Sequence, residues 1–166
     1  MAQLLPMFLK EIEQEAAVTR KMLALIPEDK YNWQPHRKSM TLQRLAAHIA
    51  ELPGWVTMTL NTTGLDFAEN KYEPKVIESN AALLEYFETG LAEAKLALEK
   101  ATEEDLDVTW TLRNGEQVYT VSPRHEFIRL TYCQTVHHRA QLGVFLRLLD
   151  IPIPGSYGPS ADDLGM

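Results

Sequence analysis

The sequence predicts an all-α protein, a four-helix bundle interrupted by one short β-hairpin, on three observations. Four long segments repeat apolar side chains every three or four residues, the spacing that gathers them on one helix face. Two alternating segments flank Asn114-Gly115, the signal of a tight hairpin. The end of the chain, from Ile151 to Ser160, is too rich in proline and glycine for a regular element, yet its apolar residues predict an ordered tail packed back on the bundle. With 166 residues the chain suits one domain, 1–166, long enough to bury roughly 70% of the surface its unfolded form exposes.

The first helix is expected over 2–26, with Leu5, Phe8, Ile12, Ala16, Thr19, Leu23 and Ile26 on one face and Pro27 ending it. Residues 28–40 are polar, contain Pro35 and read as a loop. Thr41 is a capping residue for a second helix reaching about Thr62, whose core seam is Leu45, His48, Leu52, Trp55 and Thr59. Pro53-Gly54 lies inside that helix and predicts a kink, because proline removes a hydrogen bond at a cost of ~3 kcal/mol. Such a cost is better tolerated beside a functional cavity than in a plain bundle. A third helix is expected over 78–100, on Leu84, Phe87, Leu91, Ala94 and Leu98. Val108–Leu112 and Gln117–Val121 then alternate as hairpin strands. Ser122-Pro123 predicts a helix start, a capping serine with proline at the first helical position. The fourth helix follows to about Leu149, with Phe127, Thr131, Gln134, His138, Gln141/Leu142, Phe145 and Leu149 on its seam.

Hydrophobic residues form 45% of the chain and charged residues 23%, an ordinary globular balance. The net charge of −7 argues against a nucleic-acid surface, which needs clustered Lys and Arg. No run approaches the ~18 apolar residues of a membrane span, and the N-terminal residues lack the basic start of a signal peptide. Cys133 has no second cysteine to pair with, which fits a reducing cytoplasm.

His48, Gln134 and His138 occupy seam positions where a bundle normally places Leu, Ile, Phe or Ala. An unsatisfied polar group there costs ~1–3 kcal/mol, so three of them need a common reason. Imidazoles on facing helices are a familiar way to build a metal site in a bundle core. Gln134 and His138, four apart, reach one point from one face. His137 and His138 point about 100° apart and cannot both face one ion. Glu51, one turn beyond His48, is a candidate carboxylate ligand or general base, or else a solvated or arginine-paired residue. Cys133 and His137 are also four apart, and a thiol beside imidazole is a route to a thiolate nucleophile. A helical cysteine is equally a small buried apolar group. His36 and His125 are expected at the surface, and Trp33, Trp55 and Trp110 in the core.

Three stretches resemble the DinB-like (damage-inducible) family, a superfamily of four-helix bundles that includes mycothiol- and bacillithiol-dependent S-transferases. They are Tyr31–Glu51, ending around His48; His137-His138-Arg139-Ala140-Gln141-Leu142, which is similar to the family's fourth-helix signature; and Leu146–Asp162. The resemblance implies an up-down-down-up bundle, often a homodimer, using a divalent ion such as zinc or nickel to handle a small thiol. It assigns metal-ligand positions to His48 and His138, with the third, usually histidine, falling on Gln134. Amide oxygen is a poorer ligand than imidazole for zinc or nickel, so the ion is expected to be weakly held. The cavity is expected to open near the Pro/Gly-rich tail, with His137, Trp55 and Tyr157 as binding residues around it. Three functions stay open: a metal-dependent thiol transferase or hydrolase acting on a small molecule, with Glu51 as a possible base; a non-catalytic small-molecule-binding bundle with a weakened or lost metal site; and a Cys133/His137 thiol enzyme without metal.

Overall fold

In the computed structural model, which describes residues 3–166, five helices and three strands follow in the order α1 (Leu4–Ala24), α2 (Leu42–Asn61), β1 (Gly64–Asp66), α3 (Asn80–Lys100), α4 (Glu103–Leu106), β2 (Thr109–Asn114), β3 (Gln117–Pro123) and α5 (Arg124–Leu148). The expected first residue of the first helix, Ala2, lies outside the described residues. The chain is mostly helical with a small sheet, and no described helix is long and apolar enough to cross a membrane.

Side-chain periodicity explains the helices. Phe8, Ile12, Ala16, Thr19, Leu23 and the following Ile26 are buried along one side of α1. Thr41 caps α2 by accepting the Arg44 N–H at 3.2 Å, and Ser79 caps α3 by accepting the Ala82 N–H at 3.1 Å. Helix α2 runs through Pro53 without interruption. On α3 the buried residue of the first turn is Leu83, while Leu84 is only half-buried, a shift of one position from the expected seam.

Cross-helix pairs give the directions. Glu13 meets Lys95 and Arg20 meets Glu88, so α3 runs antiparallel to α1. Glu11 meets Arg129 and Glu15 meets Arg139, so α5 runs parallel to α1. His48 lies against His138 and Trp55 against Phe127, so α2 runs antiparallel to α5. Tyr132 ties α5 to α1 from the interior, donating to the Phe8 carbonyl at 3.0 Å.

Two local expectations are corrected. The hairpin forms, with Gly115 at φ +58° in its turn, but β1 adds a third strand parallel to β2. Asp66 holds that junction by accepting the N–H groups of Gly115 and Ala68. Ser122 does not cap α5. It pairs with Trp110 and Pro123 with Thr109, so β3 continues to the helix, and the Arg124 N–H is satisfied by the Val108 carbonyl at 2.9 Å. The ladder thus supplies the acceptor that a serine cap would have offered. Short α4, closed by a reciprocal Thr102–Asp105 capping box, is likewise absent from the sequence expectation.

Trp110 anchors the sheet to the helices. It is fully buried, its ring lies 4.0 Å from that of Phe127, and Nε1 donates to Thr62 Oγ1 at 2.9 Å. The tail lies along α5 and α1 at the other flank: Asp162 accepts from Arg147 and from the Ile153 N–H. Gly143 leaves room there, since a Cβ on it would meet Met22 Cε at 3.2 Å and Ile153 Cδ1 at 3.7 Å.

Candidate functional site

His48, Gln134 and His138 line one pocket of ≈ 240 Å³ between α2 and α5. The seam spacing alone brought them there: positions 134 and 138 share a face of α5, and α2 presents position 48 to that face. The two imidazoles stand edge to face, with ring centroids 4.6 Å apart. The remaining lining is Leu52, Trp55, Leu112, Leu130 and Thr131. Trp55 stacks over Phe127, centroids 6.2 Å apart and planes within 10°. Leu112 arrives from the hairpin, so Trp110, two residues earlier, positions one wall of the pocket.

Both histidines are oriented through Nδ1. His48 Nδ1 lies 2.5 Å from Glu51 Oε1, and His138 Nδ1 lies 3.0 Å from Gln141 Oε1. Carboxylate and carbonyl oxygens only accept, so each Nδ1 carries a proton, and neither Nε2 has a hydrogen-bond partner among the described residues. Glu51 in turn accepts from the Tyr72 hydroxyl at 2.7 Å and 2.8 Å, and Arg44 Nη2 donates to that hydroxyl at 2.9 Å. Burial, and next the Glu51 carboxylate, push the Tyr72 hydroxyl up to about 12. Burial also holds His138 below the usual imidazole range; its bond to Gln141 opposes this, while the neighbouring His48, His137 and Arg44 add to it. His138 is therefore neutral at pH 7.

The donor set fits a divalent ion in part. Two imidazoles, each fixed by a hydrogen bond at Nδ1, are what zinc or nickel ligation asks of histidine. The third donor is a carboxamide, and among the described residues no group of three or more His, Cys, Asp or Glu is placed to hold a metal. Glu51, the expected ligand or base, is turned to His48 Nδ1 and Tyr72.

Other expected site residues fall elsewhere. Tyr157 is 71% exposed and belongs to a different pocket, with Val18, Met22, Arg139 and Ile153. The expectation that the histidine cavity opens near the tail is thereby corrected: its lining includes Leu112 of the sheet and no tail residue, and the tail lies along α1 and α5 at a separate pocket. His137 is exposed, its ring 4.8 Å from that of His138 and its Nε2 3.1 Å from Gln141 Nε2. Cys133 is exposed, and among the described residues no hydrogen bond joins it to His137, so the thiol–imidazole dyad is not assembled. His36 is exposed and His125 half-buried, 3.9 Å from Asp107. Sequence reasoning missed Arg44, Tyr72, Leu112 and Gln141. Gln141, three residues after His138, carried a usable signal; Tyr72 sits in an irregular stretch with none.

Comparison with known proteins agrees with this architecture. The model of the DinB family matches residues 1–164. The uncharacterized protein YrdA of Bacillus subtilis (strain 168) is 24% identical over 167 aligned residues, covering 98% of this chain and 93% of YrdA. The crystal structure of a DinB-like protein of Bacillus subtilis superposes with TM-score 0.71 at 20% identity, covering 90% of this chain and 97% of that one. The mycothiol-dependent maleylpyruvate isomerase superposes with TM-score 0.60 at 15% identity, over 84% of this chain and 60% of that longer one. These superpositions establish a shared fold.

Proposed function

We propose that this chain, which belongs to the DinB family, is a metal-dependent enzyme of the thiol-transferase or hydrolase type, with His48 and His138 holding a divalent ion and Gln134 as a weak third donor. One observation carries the reading: both imidazoles commit Nδ1 to fixed acceptors and keep Nε2 available. A bound zinc or nickel ion supplies Lewis acidity, lowering the pKa of water or a thiol at neutral pH. The residues of the chain do the rest. Glu51 and Gln141 hold the ring orientations and tautomers, and Tyr72 and Arg44 hold Glu51. Leu52, Trp55, Leu112 and Leu130 exclude water from one side of a substrate. The fold shared with a mycothiol-dependent enzyme makes a low-molecular-weight thiol the co-substrate to test first. In its finer form the fold is an up-down-down-up bundle, which the helix directions support.

The second reading, a non-catalytic small-molecule-binding bundle, is favoured by Gln134 at the third position and by the largely apolar walls of the pocket. Elemental analysis of untagged protein, before and after dialysis against chelator and back into zinc or nickel, separates the two. Close to one equivalent of ion, lost in His48→Ala and His138→Ala, is the expected outcome. Protein that folds, binds small molecules and takes up no ion at micromolar zinc or nickel would establish the binding bundle instead.

A further inference from the structure

The outer face of α5 is not built like a solvated surface. Apart from Arg129, which is turned to Glu11 on α1, it carries charge only at its ends, Glu126 and Arg147. Between them the exposed residues run Leu130, Cys133, His137, Ala140 and Val144, every three or four positions, with Leu148 beyond. Leu130 is 45% exposed, and Val144 and Leu148 are each 58% exposed, where a surface helix ordinarily places polar side chains. A contiguous apolar stripe of this kind marks an interaction surface, as a single exposed leucine does not. Beside the stripe a groove of ≈ 510 Å³ opens between α5, α1 and the tail, with Val18, Ala140, Val144, Leu148 and Tyr157 among its walls.

Spacing and charge select a second copy of this chain as the occupant. The stripe is close to palindromic about His137, with Leu130 seven residues before it and Val144 seven after. An antiparallel copy therefore sets each Leu130 against Val144 of the other. It also brings Glu126 of one copy within a turn of Arg147 of the other, at both ends of the contact. Cys133 and Ala140 are small and flank the centre, so two helix axes can approach to the ~8–10 Å of packed helices. A net charge of −7 opposes association of like copies over much of the surface, but no Asp or Glu falls between Glu126 and Asp150. We propose that this face joins two copies of the chain, α5 against α5, about a two-fold axis close to His137. The helix face from 126 to 148 is about 33 Å long and about 10–12 Å wide. That is roughly half of the ~800 Å² per partner that a stable interface buries, so the contact extends over the groove, which seats Leu130 of the other copy. Leu130 also lines the histidine pocket, and the second copy closes the outer side of that wall. None of this requires a bound ion, so the interface stands apart from the metal reading.

Sedimentation equilibrium of the full-length chain across the micromolar range tests this, with the exposed Cys133 as an internal reporter on the same face. A dimer is expected, and alkylation of Cys133 should slow as protein concentration rises. Val144→Glu, at an exposed position, should keep the wild-type melting temperature. It should weaken the dimer at least about a hundredfold, because each interface then buries two unpaired carboxylates, and it should restore the fast alkylation of dilute protein. Glu126→Lys removes the charge pair at both ends and should weaken the dimer less, about tenfold. The wild-type alkylation curve decides the matter should Val144→Glu fail to fold. A chain that stays monomeric at every concentration overturns the proposal. So does a dimer that tolerates Val144→Glu, or one whose formation leaves the Cys133 alkylation rate unchanged. Val121 is exposed on β3, the edge strand of the sheet. Loss of the dimer in Val121→Glu but not in Val144→Glu would overturn the proposal in favour of strand pairing.

Discussion

Replacing Gln134 by histidine should convert a weak metal site into a strong one. Positions 134 and 138 are one turn apart on α5 and line the same pocket as His48, so an imidazole at 134 reaches the same space as the amide it replaces. Four-ligand zinc sites hold their ion by about 10–16 kcal/mol in all, which makes one good ligand worth on the order of 3 kcal/mol. The amide already contributes a little, and the new ring must be ordered, so the net gain is about 2–3 kcal/mol, roughly 30- to 150-fold in Kd. Zinc titration of Gln134→His against a chromophoric chelator at pH 7 measures this directly. Gln134→Ala gives the other side of the comparison, with a loss of no more than about tenfold if the amide is only a weak donor. A Gln134→His protein that melts like wild type yet binds zinc no more tightly would refute the reasoning, because the side chain at 134 would then not converge on the two Nε2 atoms.

Glu51→Gln replaces the charged acceptor of His48 Nδ1 and of Tyr72 with a neutral one. It should weaken metal binding about 10- to 100-fold and let the Tyr72 hydroxyl titrate below its present value of about 12, though not down to 10, because burial is its largest cause; ultraviolet titration reads the shift. The pH dependence has a definite sign. The folded pKa of His138 is depressed, so the unfolded chain binds more protons in the window between the two pKa values. Stability from this group is complete above the unfolded pKa of about 6.5 and is lost as pH falls through it toward the folded value. The melting temperature of wild type should therefore fall across that window more than that of His138→Gln. Arg139→Met removes the charged partner, 2.7 Å away, of Glu15, whose side chain is 12% exposed, and leaves it only the Tyr157 hydroxyl. Breaking a buried pair costs about 3–5 kcal/mol, here roughly 6–20 °C in Tm, and Glu15→Gln in the same chain should recover part of it. A Tm loss below about 3 °C would show that the pair contributes little.

What could be read from residues alone was whatever depends on neighbours close in the chain. Periodicity located four long helices and put His48, Gln134 and His138 on faces that do meet, because a helix turns by a fixed angle per residue and its apolar face must be covered. Thr41 announced the start of α2, and Asn114-Gly115 announced the hairpin turn, since a cap and a turn are decided by a few adjacent bonds. Tertiary structure decided everything that needed a distant partner. Strand β1 exists only because β2 offers it a ladder, and Ser122 stays in β3 because Trp110 is opposite it. Tyr72 joins the site across an irregular stretch, Leu112 through the burial of Trp110, and Tyr157 leaves it because the tail lies along α1 and α5. Hydrogen bonds over such separations depend on how the helices stack. No local pattern carries that information, so the sequence marked the metal-ligand candidates while packing alone chose what surrounds them.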